Sequence, residues 1–361
     1  MTDPDPKEPG GKLTPTGQFQ AQMRAVRADI DRNVEKTRAD FERNVNQAKA
    51  QINQARADLD RNIEQARAQF EAASARMQQR TGRNLIGAII MSLVLGGALV
   101  ASIIIDRQYF ILFGAILLGI CSFELATAMK VRYWYVPRYL NALVTVIAMP
   151  VAYYQGMVVA VVEIIAGLGV ILLWQIVRLS IRGHMPGAKL APSLAASAFA
   201  QGYVTLLGAF TVALAAQPGT PGGVASGQWW VLSFLIIVVS VDIGAYASGL
   251  NFGKHLMAPK ISPKKTWEGF AGAGVAASIA GILVSILILH EQWWFGLIMG
   301  IVLLFVATWG DLGESHLKRV LGIKDMSNWL AGHGGFLDRL DSIIPSGVFV
   351  FILYFIVQSF H

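Results

Sequence analysis

The sequence predicts an all-α membrane protein, a bundle of about nine transmembrane helices that follows a polar N-terminal helix. Of 361 residues, 54% are hydrophobic and only 15% are charged. Apolar runs of about twenty residues recur from Leu85 onward, and each is long enough to cross about 30 Å of hydrocarbon as a helix. Residues 1–83 differ, because they carry fifteen Lys or Arg and twelve Asp or Glu, as a soluble segment does.

The N-terminal segment divides into a tail and a repeat. Residues 1–20 are rich in Pro, Gly and polar residues, which predicts a disordered tail. Residues 21–82 repeat with a period of mostly eleven, and their large apolar residues fall within an arc of about 60° on a helix. These residues are Ile30, Val34, Phe41, Val45, Ile52, Leu59, Ile63 and Phe70. The narrow seam favours a straight or slightly right-handed coiled coil that self-associates or docks a partner; a single solvated helix is the alternative.

The membrane part, residues 85–361, is predicted to contain nine spans. They lie at about 85–105, 109–129, 139–154, 157–177, 195–216, 229–250, 269–289, 293–309 and 343–360. The loops after the even-numbered spans contain fourteen Lys and Arg, whereas the loops after spans one, three, five and seven contain only Arg107. Cytoplasmic loops are enriched in these residues. We therefore expect an inner or plasma membrane protein with its N-terminus in the cytoplasm and its C-terminus outside.

Composition also excludes some classes of function. The net charge of +7 is spread over membrane loops and a mixed-charge arm, so no nucleic-acid partner is expected. Cys121 is the only cysteine, which excludes a disulfide or a cysteine metal site within one chain. Two Trp pairs, 229–230 and 293–294, fall at predicted outer ends and are expected to anchor helices at the interface. Small residues four apart, as in Gly296 and Gly300, predict close helix packing.

The loop 251–268 is predicted to bind polyphosphate. It has four lysines, Lys254, Lys260, Lys264 and Lys265, against the single acid Glu268, and it offers the hydroxyls of Ser262 and Thr266. Cations, hydroxyls and the backbone N–H groups of a Gly- and Pro-broken loop suit phosphate oxygens. The alternative is an ordinary cytoplasmic loop that binds anionic lipid headgroups.

The segment 311–341 concentrates polar chemistry between two apolar runs, with five carboxylates, four Lys or Arg and two His. Its net charge of about −1 predicts that divalent cations stand between the carboxylates and any phosphate. The candidate ligands of such a cation are Asp311 and the i,i+3 pair Asp338 and Asp341. Ser315, Lys318 and Arg319 share a helical face and are expected to contact phosphate. An ion-paired connector is the alternative for the whole segment.

Further polar residues belong to this prediction. Gly334 and Gly335 beside His333 suggest backbone packed against a ligand, and His333 is a candidate acid/base or phosphate donor, with a structural role as the alternative. Asp242, inside span six, is expected to line the same cavity. For the intramembrane Glu124 and Glu163 the sequence indicates no partner.

The two segments together resemble the phosphatidate cytidylyltransferase (CDP-diacylglycerol synthase) family. The matching residues in the second segment are Ser315, Leu317, Lys318, Arg319, Lys324, Asp325, Ser327, Leu330, His333, Gly334, Gly335, Asp338, Arg339 and Asp341. Ala331 differs from the family's pattern, in which Pro, Gly or Ser is usual at this position. Upstream, the similarity includes Asp242, Lys254, Pro263, Lys265 and Thr266. The resemblance covers about residues 85–361.

The resemblance implies that phosphatidic acid and CTP give CDP-diacylglycerol and pyrophosphate. It also implies a centre with Mg²⁺ and a second cation, K⁺, held by Asp311 and Asp338. Lys318, Arg319 and Arg339 are then expected to bind phosphates, the 251–268 loop the nucleotide, and the membrane cavity the acyl chains. The expected substrate-binding residues also include Ser315, Lys324, Asp325, Gly334 and Gly335. The expected catalytic residues also include His333 and Asp341. The alternatives are a polyprenyl-phosphate type of transferase and a transporter or scaffold.

Overall fold

The chain divides into two units, Met1–Gly82 and Arg83–His361. The computed structural model describes residues 85–181, 189–220, 223–327, 329–330 and 334–360, together with isolated residues between 23 and 61. Those isolated residues are helical. The predicted tail and most of the predicted coiled coil lie outside the described residues, so both stay predictions.

The second unit is a helix bundle. Its described helices are α1 (Leu85–Ile105), α2 (Arg107–Ala128), α3 (Arg138–Tyr154), α4 (Met157–Ile181), α5 (Leu190–Ala200), α6 (Leu207–Ala215), α7 (Gly227–Phe252), α8 (Trp267–Val284), α9 (Trp293–Leu321), α10 (Leu337–Leu340) and α11 (Ile343–Gln358). A 3₁₀ turn at Met129–Arg132 continues α2. Two π-helical stretches, Gln201–Leu206 and Ser285–Leu289, join α5 to α6 and extend α8.

The prediction of a membrane helix bundle is confirmed, whereas the count of nine spans is not. In the described part of the chain, seven helical stretches are long and apolar enough to cross a bilayer. They are Gln108–Arg132, Met157–Arg178, Leu190–Ala215, Gly227–Phe252, Trp267–Leu289, Trp293–Leu321 and Leu337–Gln358. The predicted first and third spans differ from these. The described apolar part of α1 is only Leu93–Ile105, and α3 has 17 residues with Pro150 inside.

Glycines bring α8 and α9 into backbone contact. A Cβ added at Gly296 would overlap the carbonyl oxygen of Gly281, and one added at Gly300 would overlap that of Ala277. Small residues at membrane helix interfaces allow this approach. The packing predicted from Gly296 and Gly300 is therefore confirmed, and it fixes α9, which carries Asp311, against α8.

The expected Trp anchors are only partly found. Trp230 is 0% exposed and packs edge-on against Phe295 and Tyr354, with ring centroids 5.9 and 5.5 Å away. The prediction is therefore wrong for Trp230. Adjacent residues lie about 100° apart on a helix, so a pair need not face the same surroundings. Trp293 and Trp294 are 56% and 52% exposed, as interfacial residues are.

The loop 251–268 forms a β-hairpin, which the all-α prediction missed. Strand β1 (Leu256–Ala258) pairs antiparallel with β2 (Ser262–Thr266). The carboxylate of Glu268 holds its base, because Oε2 accepts the backbone N–H groups of Lys254 (3.1 Å) and His255 (3.2 Å). Thr266 Oγ1 caps α8 by accepting the N–H of Gly269 at 3.1 Å. A two-stranded hairpin is marginal alone, and these bonds attach it to the bundle.

Candidate active site

A cavity of about 290 Å³ lies between α7, the hairpin, α8 and α9; we call it the hairpin cavity. Its wall includes Asp242 of α7, Asp311 of α9, and Ser262, Lys264, Lys265 and Thr266 of β2. The rest is mostly apolar and includes Val241, Phe270 and Ala307. Residues of both predicted functional segments thus meet at one cavity.

Two direct contacts join α9 to the hairpin. Lys265 Nζ lies 2.6 Å from Asp311 Oδ2, with 24% and 32% of the two side chains exposed. Arg319 Nε donates to the carbonyl of Ile261 at 3.3 Å. Ser315 Oγ donates to Asp311 Oδ1, also at 3.3 Å. Because α9 continues as a helix to Leu321, residues 311, 315 and 319 lie four apart and share one face.

Lys318 faces the segment 325–341 instead. Its ammonium contacts the carboxylate of Glu314 and lies 2.9 Å from Asp338 Oδ1, and 14% of the side chain is exposed. Glu314 is 1% exposed. Two buried carboxylates are costly unless a cation lies between them. In this structure Lys318 therefore neutralises carboxylates, whereas Ser315 and Arg319, grouped with it from sequence, contact Asp311 and the hairpin.

Asp338 organises the turn that precedes it. Its Oδ2 accepts the backbone N–H of Gly335 at 2.6 Å and that of Met326 at 3.0 Å. Gly334 has φ +83°, and a Cβ there would lie 2.5 Å from the same oxygen. The close backbone packing predicted around the glycines is thus against a carboxylate of the chain itself. Asp338 does not border the hairpin cavity.

Glu124 of α2 has a partner that the sequence did not indicate. Its Oε1 accepts a hydrogen bond from Ser327 Oγ at 2.5 Å, and its Oε2 accepts the backbone N–H of Leu337 at 3.0 Å. Glu124 is 1% exposed, and a Cβ on Gly335 would lie 2.7 Å from Oε2. This intramembrane carboxylate therefore attaches Ser327 and Leu337 to α2. The contact spans 203 and 213 residues, so no local pattern could reveal it.

The remaining predicted residues are distributed around these contacts. Arg339 and Asp242 border a second cavity of about 230 Å³ with apolar walls that include Leu95, Phe113 and Leu330; we call it the apolar cavity. Asp341 is 9% exposed, and its Oδ1 accepts the N–H of Ser342 at 2.7 Å. Lys254, Lys260 and Lys324 are exposed, and Asp325 is partly buried; none of these four borders either cavity. His333 lies outside the described residues.

The fit of a divalent cation differs between the two expected ligands. Among the described residues, no three Asp, Glu, His or Cys side chains form a metal-binding group. Mg²⁺ is often held by one or two carboxylates together with substrate phosphates. Asp311 fits this pattern, because it lies on the cavity wall and its Oδ1 accepts a long hydrogen bond from Ser315, although its Oδ2 is paired with Lys265. Asp338 has the right donor chemistry, but Lys318 and two backbone N–H groups already contact it.

Comparison with known proteins places the chain in a family. The model of the cytidylyltransferase family matches residues 86–357. A phosphatidate cytidylyltransferase of Mycobacterium leprae is 33% identical over 289 residues, which cover 76% of this chain and 89% of the relative. The protein of that name from Mycobacterium bovis is 32% identical over 284 residues, with coverage of 76% and 89%. One from Brucella suis is 40% identical over 120 residues, with coverage of 33% and 44%. The chain therefore belongs to the cytidylyltransferase family.

Proposed function

We propose that this chain is a phosphatidate cytidylyltransferase, an integral membrane enzyme that transfers the cytidylyl group of CTP to phosphatidic acid. A phosphate oxygen of the lipid forms a bond to the α-phosphorus of CTP. The bond from that phosphorus to the β-phosphate oxygen breaks, and pyrophosphate leaves. The observation that carries the proposal is the Lys265–Asp311 ion pair. It joins the lysine-rich hairpin to the carboxylate-rich segment 311–341, and both lie within the residues that match the family.

The residues supply positioning and charge. Both substrates are anions, so orientation and charge neutralisation must provide most of the catalysis. Lys264, Lys265 and Ser262 border the hairpin cavity and are proposed to bind the triphosphate. Arg339 borders the apolar cavity, which suits a lipid phosphate with its acyl chains against the apolar wall. Asp242 borders both cavities, so the two substrates would meet beside it.

We also propose that Asp311 and Asp338 hold Mg²⁺, with K⁺ as a second cation. Asp311 supports this through its place on the cavity wall. Asp338 supports it less directly, because Lys318 would have to release a carboxylate oxygen. Bound Mg²⁺ would neutralise charge on the reacting phosphate and on the leaving pyrophosphate. After that release, Lys318 would still neutralise the carboxylate of Glu314.

The proposed topology has nine spans, with the N-terminus and the site at the cytoplasmic face and the C-terminus outside. The distribution of loop cations, fourteen against one, supports it. The 21 residues of α1 can cross the hydrocarbon core. The coiled coil of residues 21–82 is proposed to mediate self-association or to bind a partner.

The substrate is tested by pyrophosphate release. The purified full-length protein in mixed micelles receives CTP with phosphatidic acid, with a polyprenyl phosphate, or with no lipid phosphate. We expect pyrophosphate only with phosphatidic acid, and a dependence on Mg²⁺ and K⁺. Release with the polyprenyl phosphate and none with phosphatidic acid would favour the other transferase class and contradict this assignment.

Replacing Glu124 by Gln is expected to lower turnover about ten- to a hundredfold, since hydrogen bonds to a charged group contribute about 1.5–3 kcal/mol. The amide can accept only one of the two bonds that hold Ser327 and Leu337. Steady-state kinetics should show the loss mainly in kcat, because Glu124 positions the segment and does not border either cavity.

The matched control is Glu163→Gln, at a second intramembrane glutamate whose buried Oε2 has no hydrogen-bond partner among the described residues. We expect near-normal turnover there. Adding Ser327→Ala to Glu124→Gln should cost less than Ser327→Ala costs alone, because the two side chains share one bond. Fully additive losses would show that the contact does not position the segment.

A further inference from the structure

A third cavity, of about 530 Å³, lies at the ends of α2, α3 and α4; we call it the basic cavity. Its lining includes three cations, Lys130, Arg138 and Arg178, and three aromatic residues, Tyr135, Tyr139 and Trp174. None of its lining residues borders the hairpin cavity or the apolar cavity. The loop-charge pattern predicts that this end of the bundle faces the cytoplasm.

The positive charge of the basic cavity has no counter-charge in the part of the chain that the structure describes. No Asp or Glu lines it, and Lys130, Arg138 and Arg178 make no ion pair with a described residue. Arg178 Nε is buried and has no hydrogen-bond partner among the described residues. Three cations that share one cavity repel one another, so an anion bound between them would be stabilised.

Aromatic rings hold the two guanidinium groups. Arg138 Cζ lies 5.0 Å from the ring centroid of Phe123 and 4.9 Å from that of Tyr139. Arg178 Cζ lies 4.8 Å from Trp174 and 5.4 Å from Tyr135. Stacking on a ring face fixes the plane of a guanidinium and leaves N–H groups at its edge for a planar or phosphate anion.

The wall of the cavity is rigidly built. Gln175 Nε2 donates to the carbonyl of Tyr135, and also to the carbonyl of Ser193 (3.2 Å) and to Ser197 Oγ (2.8 Å). The N–H of Tyr135 in turn donates to Ser193 Oγ at 2.9 Å. The loop that carries Tyr135 is thus bound to both α4 and α5, and a ligand would have little to reorganise.

The surface beside the cavity is suited to acyl chains. Of the candidate spans, Met157–Arg178 is the least buried, with 17% of its most apolar window covered by the rest of the described chain. Ile165, Val170 and Leu173 on α4 are 64%, 56% and 63% exposed. The helix that carries Arg178 thus exposes large apolar side chains along its length.

We propose that the basic cavity binds the phosphate headgroup of an anionic membrane phospholipid, whose acyl chains lie along α4. Arg138 and Arg178 contact the phosphate through their N–H edges, and Lys130 adds charge. This site is separate from the proposed substrate cavities. An anionic phospholipid of the surrounding bilayer would thus bind this chain specifically, at the ends of α2, α3 and α4.

The test compares lipid retention by the full-length protein and two variants. Protein in phosphatidylcholine micelles is titrated with phosphatidylglycerol, and bound lipids are counted by native mass spectrometry. We expect the wild type to retain one phosphatidylglycerol in preference to phosphatidylcholine. Arg138→Gln/Arg178→Gln should bind it about twenty-fivefold more weakly, from about a fivefold contribution of each arginine. The control Lys189→Gln removes an exposed cation outside the cavity and should bind as the wild type does.

Two further measurements distinguish a lipid phosphate from free phosphate and provide a variant that does not depend on the folding of the double variant. Inorganic phosphate is added to the lipid-bound protein as a competitor. If it displaces the lipid from the wild type and binds only when both arginines are present, the anion site is supported and its ligand is free phosphate. Arg178→Lys keeps the charge but not the planar stacking, so it should bind several-fold more weakly even if the double variant fails to fold. Equal retention by all variants, or no preference over phosphatidylcholine, would overturn the proposal.

Discussion

Asp338→Asn is expected to reduce cytidylyl transfer roughly a thousandfold or more, because several catalytic elements depend on this one charge. The carboxylate accepts the N–H groups of Gly335 and Met326, pairs with Lys318, and is a proposed Mg²⁺ ligand. Asparagine has a similar shape, but its NH₂ group would face one of these donors. It would also leave Lys318 with Glu314 alone. Turnover with saturating CTP and phosphatidic acid measures the loss.

The matched control for this variant is Asp106→Asn. Asp106 caps α2 by accepting the N–H of Gln108 at 3.0 Å, and asparagine caps helices about as well as aspartate. It should retain normal turnover. Near-normal turnover in Asp338→Asn itself, with a folded protein, would contradict the proposed roles of Asp338 as a Mg²⁺ ligand and as a catalytic residue.

Asp311→Asn is expected to lower turnover roughly a hundred- to a thousandfold and to raise the Mg²⁺ concentration needed for half-maximal rate. The substitution removes the carboxylate that pairs with Lys265 at the cavity wall. It therefore removes both a proposed metal ligand and one of the two contacts that join α9 to the hairpin. A Mg²⁺ titration at fixed CTP measures both effects.

Ser315→Ala distinguishes the charge of Asp311 from the hydrogen bond that Asp311 accepts. It removes the 3.3 Å bond to Asp311 Oδ1 but keeps the carboxylate. We expect a loss of about tenfold at most, since a single hydrogen bond contributes about 0.5–1.5 kcal/mol. If Asp311→Asn leaves the Mg²⁺ dependence unchanged while Ser315→Ala alters it, Asp311 is not the metal ligand.

The bundle could be predicted because apolar runs of span length have few other solutions. Residues 315–319 were expected to be helical, but the sequence did not predict that they continue the membrane helix α9 without a break. The predicted span ended at residue 309, whereas the helix continues to Leu321 and ends at Gly322, which has φ +76°. Charged residues mark the end of an apolar run, but they do not end a helix. That continuation places Asp311, Ser315 and Arg319 on one face.

The hairpin and the buried ion pairs also required the structure. Pro263 and the glycines of 251–268 indicated an irregular loop, yet the pairing of Leu256 with Thr266 depends on the bundle that supports it. The residue types of the site were readable from the sequence, because its carboxylates and lysines stand out among apolar residues. Their partners were not, since Glu124 meets Ser327 and Lys318 meets Asp338 only in three dimensions.

The most direct test of cytidylyl transfer by this chain follows the phosphorus atoms of CTP into the products. The full-length protein is given phosphatidic acid and CTP that is labelled with radioactive phosphorus at either the α or the γ position, and the lipid is extracted. We expect α-label to enter the lipid product and γ-label to be recovered only in pyrophosphate. γ-Label in the lipid, or no label in the lipid from either CTP, would contradict it.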